Sequence, residues 1–95
     1  MTLEPQIHAV PSDEPSLGRK LVHERGLRFG HPRDNWRRIG IKWQATLDLA
    51  EPIPPHLVGL MMLDLKVSRL VETPDDADSL DDIEGYVEAQ RELFR

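Results

Sequence analysis

No cysteine occurs among the 95 residues, an absence that removes disulfides, thiolate metal sites and cysteine nucleophiles together. Stability then has to come from packing, and a reducing compartment suits the chain. Aromatic residues are scarce as well: two Trp, one Tyr and two Phe. Long apolar runs are also missing, because Asp64, Lys66 and Arg69 interrupt the most hydrophobic stretch well short of a bilayer span. The opening string MTLEPQIHAVPSDEP has neither the basic nor the apolar region of a secretion signal. The expectation is a cytoplasmic chain with no membrane partner. Three chemistries lack their motifs too: there is no glycine-rich phosphate loop, no GxSxG elbow and no zinc signature, and His8, His23 and His56 have no metal-like spacing.

What is present is charge, unevenly laid out. The net charge is −5. Arg19 to Lys42 carries eight Lys/Arg against Glu24 and Asp34, so this segment is strongly basic and the remainder strongly acidic. A basic segment can hold phosphate or an acidic partner; it can equally meet the acidic half of its own chain across a bundle or a dimer. Duplex DNA is disfavoured as a partner, since the acidic half would be repelled by its backbone. A chain this short is near the lower limit for an unaided hydrophobic core, which points to one domain and to a homo-oligomer that buries further apolar surface.

Eight prolines punctuate the sequence into an N-terminal arm over residues 1–13 and a helical domain over 14–95. The spacing predicts an all-α fold, a small bundle of about four helices. A short first helix is expected from Pro15 at its first position, with Leu17, Leu21 and Val22 inward, followed by a turn enforced by Gly26, Gly30 and Pro32. A second helix starts at Pro32 or Arg33 and runs to about Ala50, with Trp36, Ile39, Trp43 and Leu47 on one face and Gly40 as a possible contact point. His56 to Val71 reads as an apolar rod suited to a bundle centre or an oligomer interface. After a loop at Pro74, a fourth helix capped by Asp78 or Ser79 puts Leu80, Ile83, Tyr86, Val87, Leu93 and Phe94 on one face. The third and fourth helices are expected to form the centre.

Candidate chemistry rests on charge pairs. Lys66 and Arg69 are three apart on the third helix, Asp78 and Asp82 four apart on the fourth, and a tight turn at Pro74 would bring the pairs together. Two readings follow: a partly buried salt-bridge cluster that fixes register, or a pocket in which carboxylates hold a cation and the basic pair holds phosphate. In the second reading Asp78 and Asp82 are the catalytic candidates, and Asp64 joins them as a metal ligand for magnesium or manganese. His31 and Asn35 stand at the mouth of the second helix, whose free N–H groups attract anions, although a histidine before a proline also serves as a cap. Tyr86 supplies a hydroxyl on the inner side.

The string Phe29-Gly30-His31-Pro32, Asn35-Trp36, Ile39, Trp43, Met61-Met62, Lys66, Arg69-Leu70, Asp78-Ser79, Asp82-Ile83 and Gly85-Tyr86 resembles a family of small proteins from actinobacterial phages and prophages. That family is similar to phage nucleotide-modification-associated domains and, more distantly, to the all-α MazG-like nucleoside triphosphate pyrophosphatases. The resemblance implies a nucleotide-handling domain, by binding or by metal-dependent pyrophosphohydrolysis, with Lys66, Arg69, His31, Asn35 and Tyr86 about the substrate. Two departures limit what carries over. The second helix has no glutamate, where MazG-like enzymes place a metal-binding pair, and Phe29 replaces the usual tyrosine. The rival class is a non-enzymatic protein that docks on a host factor.

Overall fold

The computed structural model describes residues 16–95, in which four α-helices follow one another. They are α1 (Leu17–Phe29), α2 (Pro32–Leu47), α3 (Pro55–Glu72) and α4 (Ala77–Glu92). The arm expected over residues 1–13 and the expected helix start at Pro15 lie outside the described residues. The fold is all-α, and no strand occurs among the described residues.

Local chemistry accounts for most of the boundaries. Ser16 caps α1, its hydroxyl accepting from the Arg19 N–H, and the helix begins at Leu17. It then runs through Gly26, which was expected in a turn, and ends at Gly30, whose φ of 87° ordinary residues resist. His31 caps α2 through its Nδ1, with Pro32 at the first helical position. The helix ends at Leu47, earlier than the prolines implied, because Asp48 adopts the left-handed conformation with φ 56°. That early end leaves Leu47 exposed, whereas the spacing had placed it inward with Trp36 and Ile39. Asp76, not Asp78 or Ser79, caps α4: its carboxylate accepts from the backbone N–H and the hydroxyl of Ser79. The cap moved because the turn at Pro74 closes in a single step, the Asp76 N–H donating to the Thr73 carbonyl.

Paired contacts fix the topology. Lys66 meets Asp82 and the Gln90 amide donates to the His56 carbonyl, which makes α3 and α4 antiparallel. Arg19 meets Glu88 and Arg25 meets Asp82, which does the same for α1 and α4. Helix α4 thus lies between α1 and α3, and those are its most extensive packings. Helix α2 packs chiefly on α3 and inserts Trp36, so that Trp36, Val58 and Ala89 form the buried core with Ile39, Trp43, Met62 and Tyr86 around them. The Trp36 and Tyr86 rings meet edge to face, 6.4 Å between centroids.

The expected centre is therefore only half right. Helix α4 is central, but α3 buries only Val58 and Gly59 fully and leaves a long apolar side outward. On α4 the inward residues are Ser79, Gly85, Glu88 and Ala89, with Ile83, Tyr86 and Leu93 half-buried, while Leu80, Val87 and Phe94 are exposed. A helix covered on two sides by neighbours buries small residues where those neighbours come close, so its large apolar positions do not mark a single inner face.

Gly40 is the tightest of these approaches. The segment after α2 folds back so that the Ile53 N–H donates to the Gly40 carbonyl at 3.3 Å, and a Cβ at Gly40 would overlap the Ile53 carbonyl oxygen. The glycine is a contact point and leaves the helix unbroken. Gly40→Ala is expected to destabilise the domain by about 1–3 kcal/mol, since backbone on both sides has to shift; urea unfolding followed by circular dichroism measures it. A change below a few tenths of that would mean the returning segment is not held there.

Candidate functional site

The seam between α1, α3 and α4 carries the half-buried charges. Asp82 on α4 receives the Arg25 guanidinium at 2.7 Å from one side and the Lys66 ammonium at 2.9 Å from the other. Arg25 sits in addition over the Tyr86 ring, its Cζ 5.5 Å from the centroid. Burial alone would push the Asp82 carboxyl up; the hydrogen bonds and positive charge of Lys66 and Arg25 outweigh it and hold the group below the ordinary 3.8. Asp76 is likewise held down, by the Ser79 hydroxyl and backbone N–H and by the nearby charges of Arg69 and Lys66.

The sequence-derived cluster therefore assembles in part. Lys66 and Asp82 meet, and Arg69 approaches the cap residue Asp76. Asp78 is exposed in the first turn of α4, and Asp64 is exposed on α3, two residues before the inward Lys66 and so on the opposite side. The proposed ligand set of Asp64, Asp78 and Asp82 does not gather: among the described residues no three His, Cys, Asp or Glu side chains come together in a way that could hold a metal ion. Asp82, the one inward carboxylate of the three, already faces two cations.

Two adjoining cavities take in the remaining candidates. The smaller, about 160 Å³, is walled by Phe29, Trp36, Met62 and Tyr86, with Arg25 and Asn35 as its polar groups. The larger and more open cleft, about 500 Å³, is lined by Arg19, His23, His31, Glu88, Glu92 and Arg95. Val22, Gly26 and Pro32 border both, so the start of α2 stands where they join. In the cleft Glu88 is buried and bound by Arg19 at 3.4 Å, Arg91 at 3.6 Å and Arg95 at 2.9 Å, and Arg95 also reaches Glu92. Arg91 stands outside the cleft, and within it Arg19 and Arg95 are matched by Glu88 and Glu92. His31 lines it while its Nδ1 accepts from the Arg33 N–H, so it is both cap and wall.

Of the residues expected about a substrate, Asn35 and Tyr86 line the smaller cavity with Phe29 and His31 lines the cleft, whereas Lys66 and Arg69 line neither. Sequence reasoning counted Arg25 and Arg19 only as members of a basic segment and passed over Glu88. Their partners stand 57 and 69 residues away. A usable signal did exist: Arg19 and Arg25 lie six apart on α1, and Asp82 and Glu88 six apart on α4, as antiparallel pairing requires.

Asp82→Asn is expected to cost about 1–2 kcal/mol at neutral pH, because Lys66, largely enclosed, loses its nearest counter-charge. The sign of the pH dependence follows from the lowered carboxyl. Its contribution is complete above 3.8 and is lost as pH falls through the folded-state value. Chemical denaturation of both proteins from pH 7 to pH 2 checks this: the difference between them should shrink in acid, and a constant difference would disprove the charged clamp.

Comparison with known proteins gives three findings. The "Gene 55 protein" of Mycobacterium phage D29 is 29% identical over 76 residues, which are 79% of this chain and 49% of that protein, so the chain spans about half the length of the curated relative it matches. No solved structure matches. The family described as "Domain of unknown function (DUF6378)" matches residues 18–94, which include all but the first residue of the four-helix array, and the chain belongs to that family.

Proposed function

We propose that the domain binds a nucleotide, with the base in the small cavity and the phosphates in the wider cleft beside it. The observation that carries this reading is the pairing of the two cavities across Val22, Gly26 and Pro32. A volume of about 160 Å³ fits a planar ring, since apolar cavities of roughly 150 Å³ accept benzene. Phe29, Trp36 and Tyr86 offer π faces or edges to such a ring, and Asn35 offers both a donor and an acceptor to its polar edge. The wider cleft brings Arg19, Arg95 and His23, groups that suit phosphate. Arg25 stands at the rim of the ring slot.

The likeness to MazG-like pyrophosphatases would extend binding to hydrolysis. That step needs a divalent ion held by several carboxylates beside the phosphate bridge. Asp82 is neutralised by Arg25 and Lys66, Asp78 and Asp64 point elsewhere, and α2 carries no glutamate. These residues support nucleotide binding without turnover. The phage origin of the Gene 55 protein fits a role during infection, the setting in which a nucleotide sensor or carrier would act.

Tryptophan fluorescence tests the reading, because Trp36 forms part of the slot. Titration with ribo- and deoxynucleoside mono-, di- and triphosphates should give a saturable change for at least one base. Arg25→Met should weaken it about tenfold or more, the loss expected for a charged hydrogen-bonding group. Pyrophosphate release with magnesium or manganese should be absent. No saturable signal at millimolar concentration from any nucleotide would sink the binding claim, and release of pyrophosphate would overturn the claim of binding without turnover.

A further inference from the structure

We infer that the outer face of α3 is the contact surface between two copies of this chain. Leu57, Leu60, Asp64, Val67 and Val71 recur at intervals of three, four, three and four, the repeat of a coiled-coil seam. They lie on the side of α3 away from Val58, Met62 and Lys66, which face the bundle. Leu57, Leu60, Met61, Val67 and Val71 are each between 41% and 79% exposed. Five side chains exposed to that degree present on the order of 400 Å² of apolar surface, a patch of the size that is often functional on a monomer. Pairing two such faces buries about 800 Å², the size of a weak, reversible association.

The inner core makes the same demand from the other direction. Only Trp36, Val58 and Ala89 are buried hydrophobics, while fifteen large ones are exposed among the described residues. Covering α3 therefore adds apolar burial to an interior with few fully buried side chains. A second copy is the occupant that this surface specifies, because a symmetric pair needs only one self-complementary stripe. Asp64 is the single charge within it, and one polar position in such a seam fixes register at some cost in affinity. The surface lies across α3 from the cavities, so the inference does not depend on nucleotide binding.

Sedimentation equilibrium on the full chain tests it. The wild type should be a dimer at tens of micromolar. Leu60→Glu combined with Val67→Glu should weaken association about a hundredfold or more, with helicity retained by circular dichroism. Ile41→Glu, an equally exposed apolar position on α2, should leave association unchanged. Because the chain has no cysteine, Ser68→Cys accepts one spin label per copy beside the stripe without altering it. Dipolar coupling between copies should then report helices packed about 8–10 Å apart, and this measurement decides the matter if the double glutamate variant fails to fold. A monomeric wild type, a dimer indifferent to the two glutamates, or labels that show no coupling would each overturn the inference; a partner segment elsewhere in the chain would give the first of these results.

Discussion

Asp82 accepts one cation from α1 and another from α3, and that double contact determines how the three antiparallel helices align. With so few buried hydrophobics, apolar packing alone tolerates sliding of one helix along another; a carboxylate held between a guanidinium and an ammonium does not. One residue of slip on α4 turns the carboxylate about 100° away from both partners. The second clamp, six residues on, repeats the logic with Glu88 between Arg19 and Arg95. Neither clamp is a large source of net stability, since desolvation offsets much of the attraction. Their contribution is register, and register in turn sets where Trp36 finds its seat against Gly59 on α3.

The same arrangement explains why cavities exist at the α1 end of the layer. Arg25 is turned toward Asp82 and over Tyr86, so its long side chain lies along the wall and does not fill the space between α1 and α2. Phe29 and Gly30 end α1 just there, and the chain re-enters at Pro32 without a bulky residue to close the gap. What sequence charge counting showed as a basic segment is therefore divided in the fold. Part of it, Arg19 and Arg25, faces the acidic α4; Arg38 instead donates to the Phe29 carbonyl. The bipolar sequence is thus matched internally at two points, Arg19 with Glu88 and Arg25 with Asp82.

Helix number and order were legible because proline and glycine interrupt the periodic segments at each joint, and backbone chemistry at those joints is local. The Lys66 and Asp82 contact was legible for a similar reason: a turn of four residues leaves the two helices no other way to run. Asp64 was misjudged, although its spacing carried the answer, since a residue two positions from Lys66 on a helix faces nearly the other way. The α4 face was illegible from apolar spacing because that helix is enclosed by α1 and α3, where close backbone approach selects Gly85, Ala89 and Ser79 over larger residues. Arg25 could not be singled out by composition, as eight basic residues crowd that stretch and only the antiparallel pairing of α1 with α4 distinguishes it.

The state of Asp82 also bears on which chemistry the domain can host. A carboxylate that ligates a divalent ion must present its lone pairs to the metal, and cations at 2.7 and 2.9 Å occupy that space with charge of the same sign. To recruit a metal the site would have to release both partners, leaving Lys66 enclosed without a counter-ion at a cost of several kcal/mol. An anionic ligand makes no such demand. It can approach the cleft from solvent, meet Arg19 on its exposed side and leave the Asp82 clamp as it stands. The arrangement that aligns the helices is thus compatible with an anion beside them, while the Asp82 oxygens, each held by a cation, are poorly placed to ligate a metal ion.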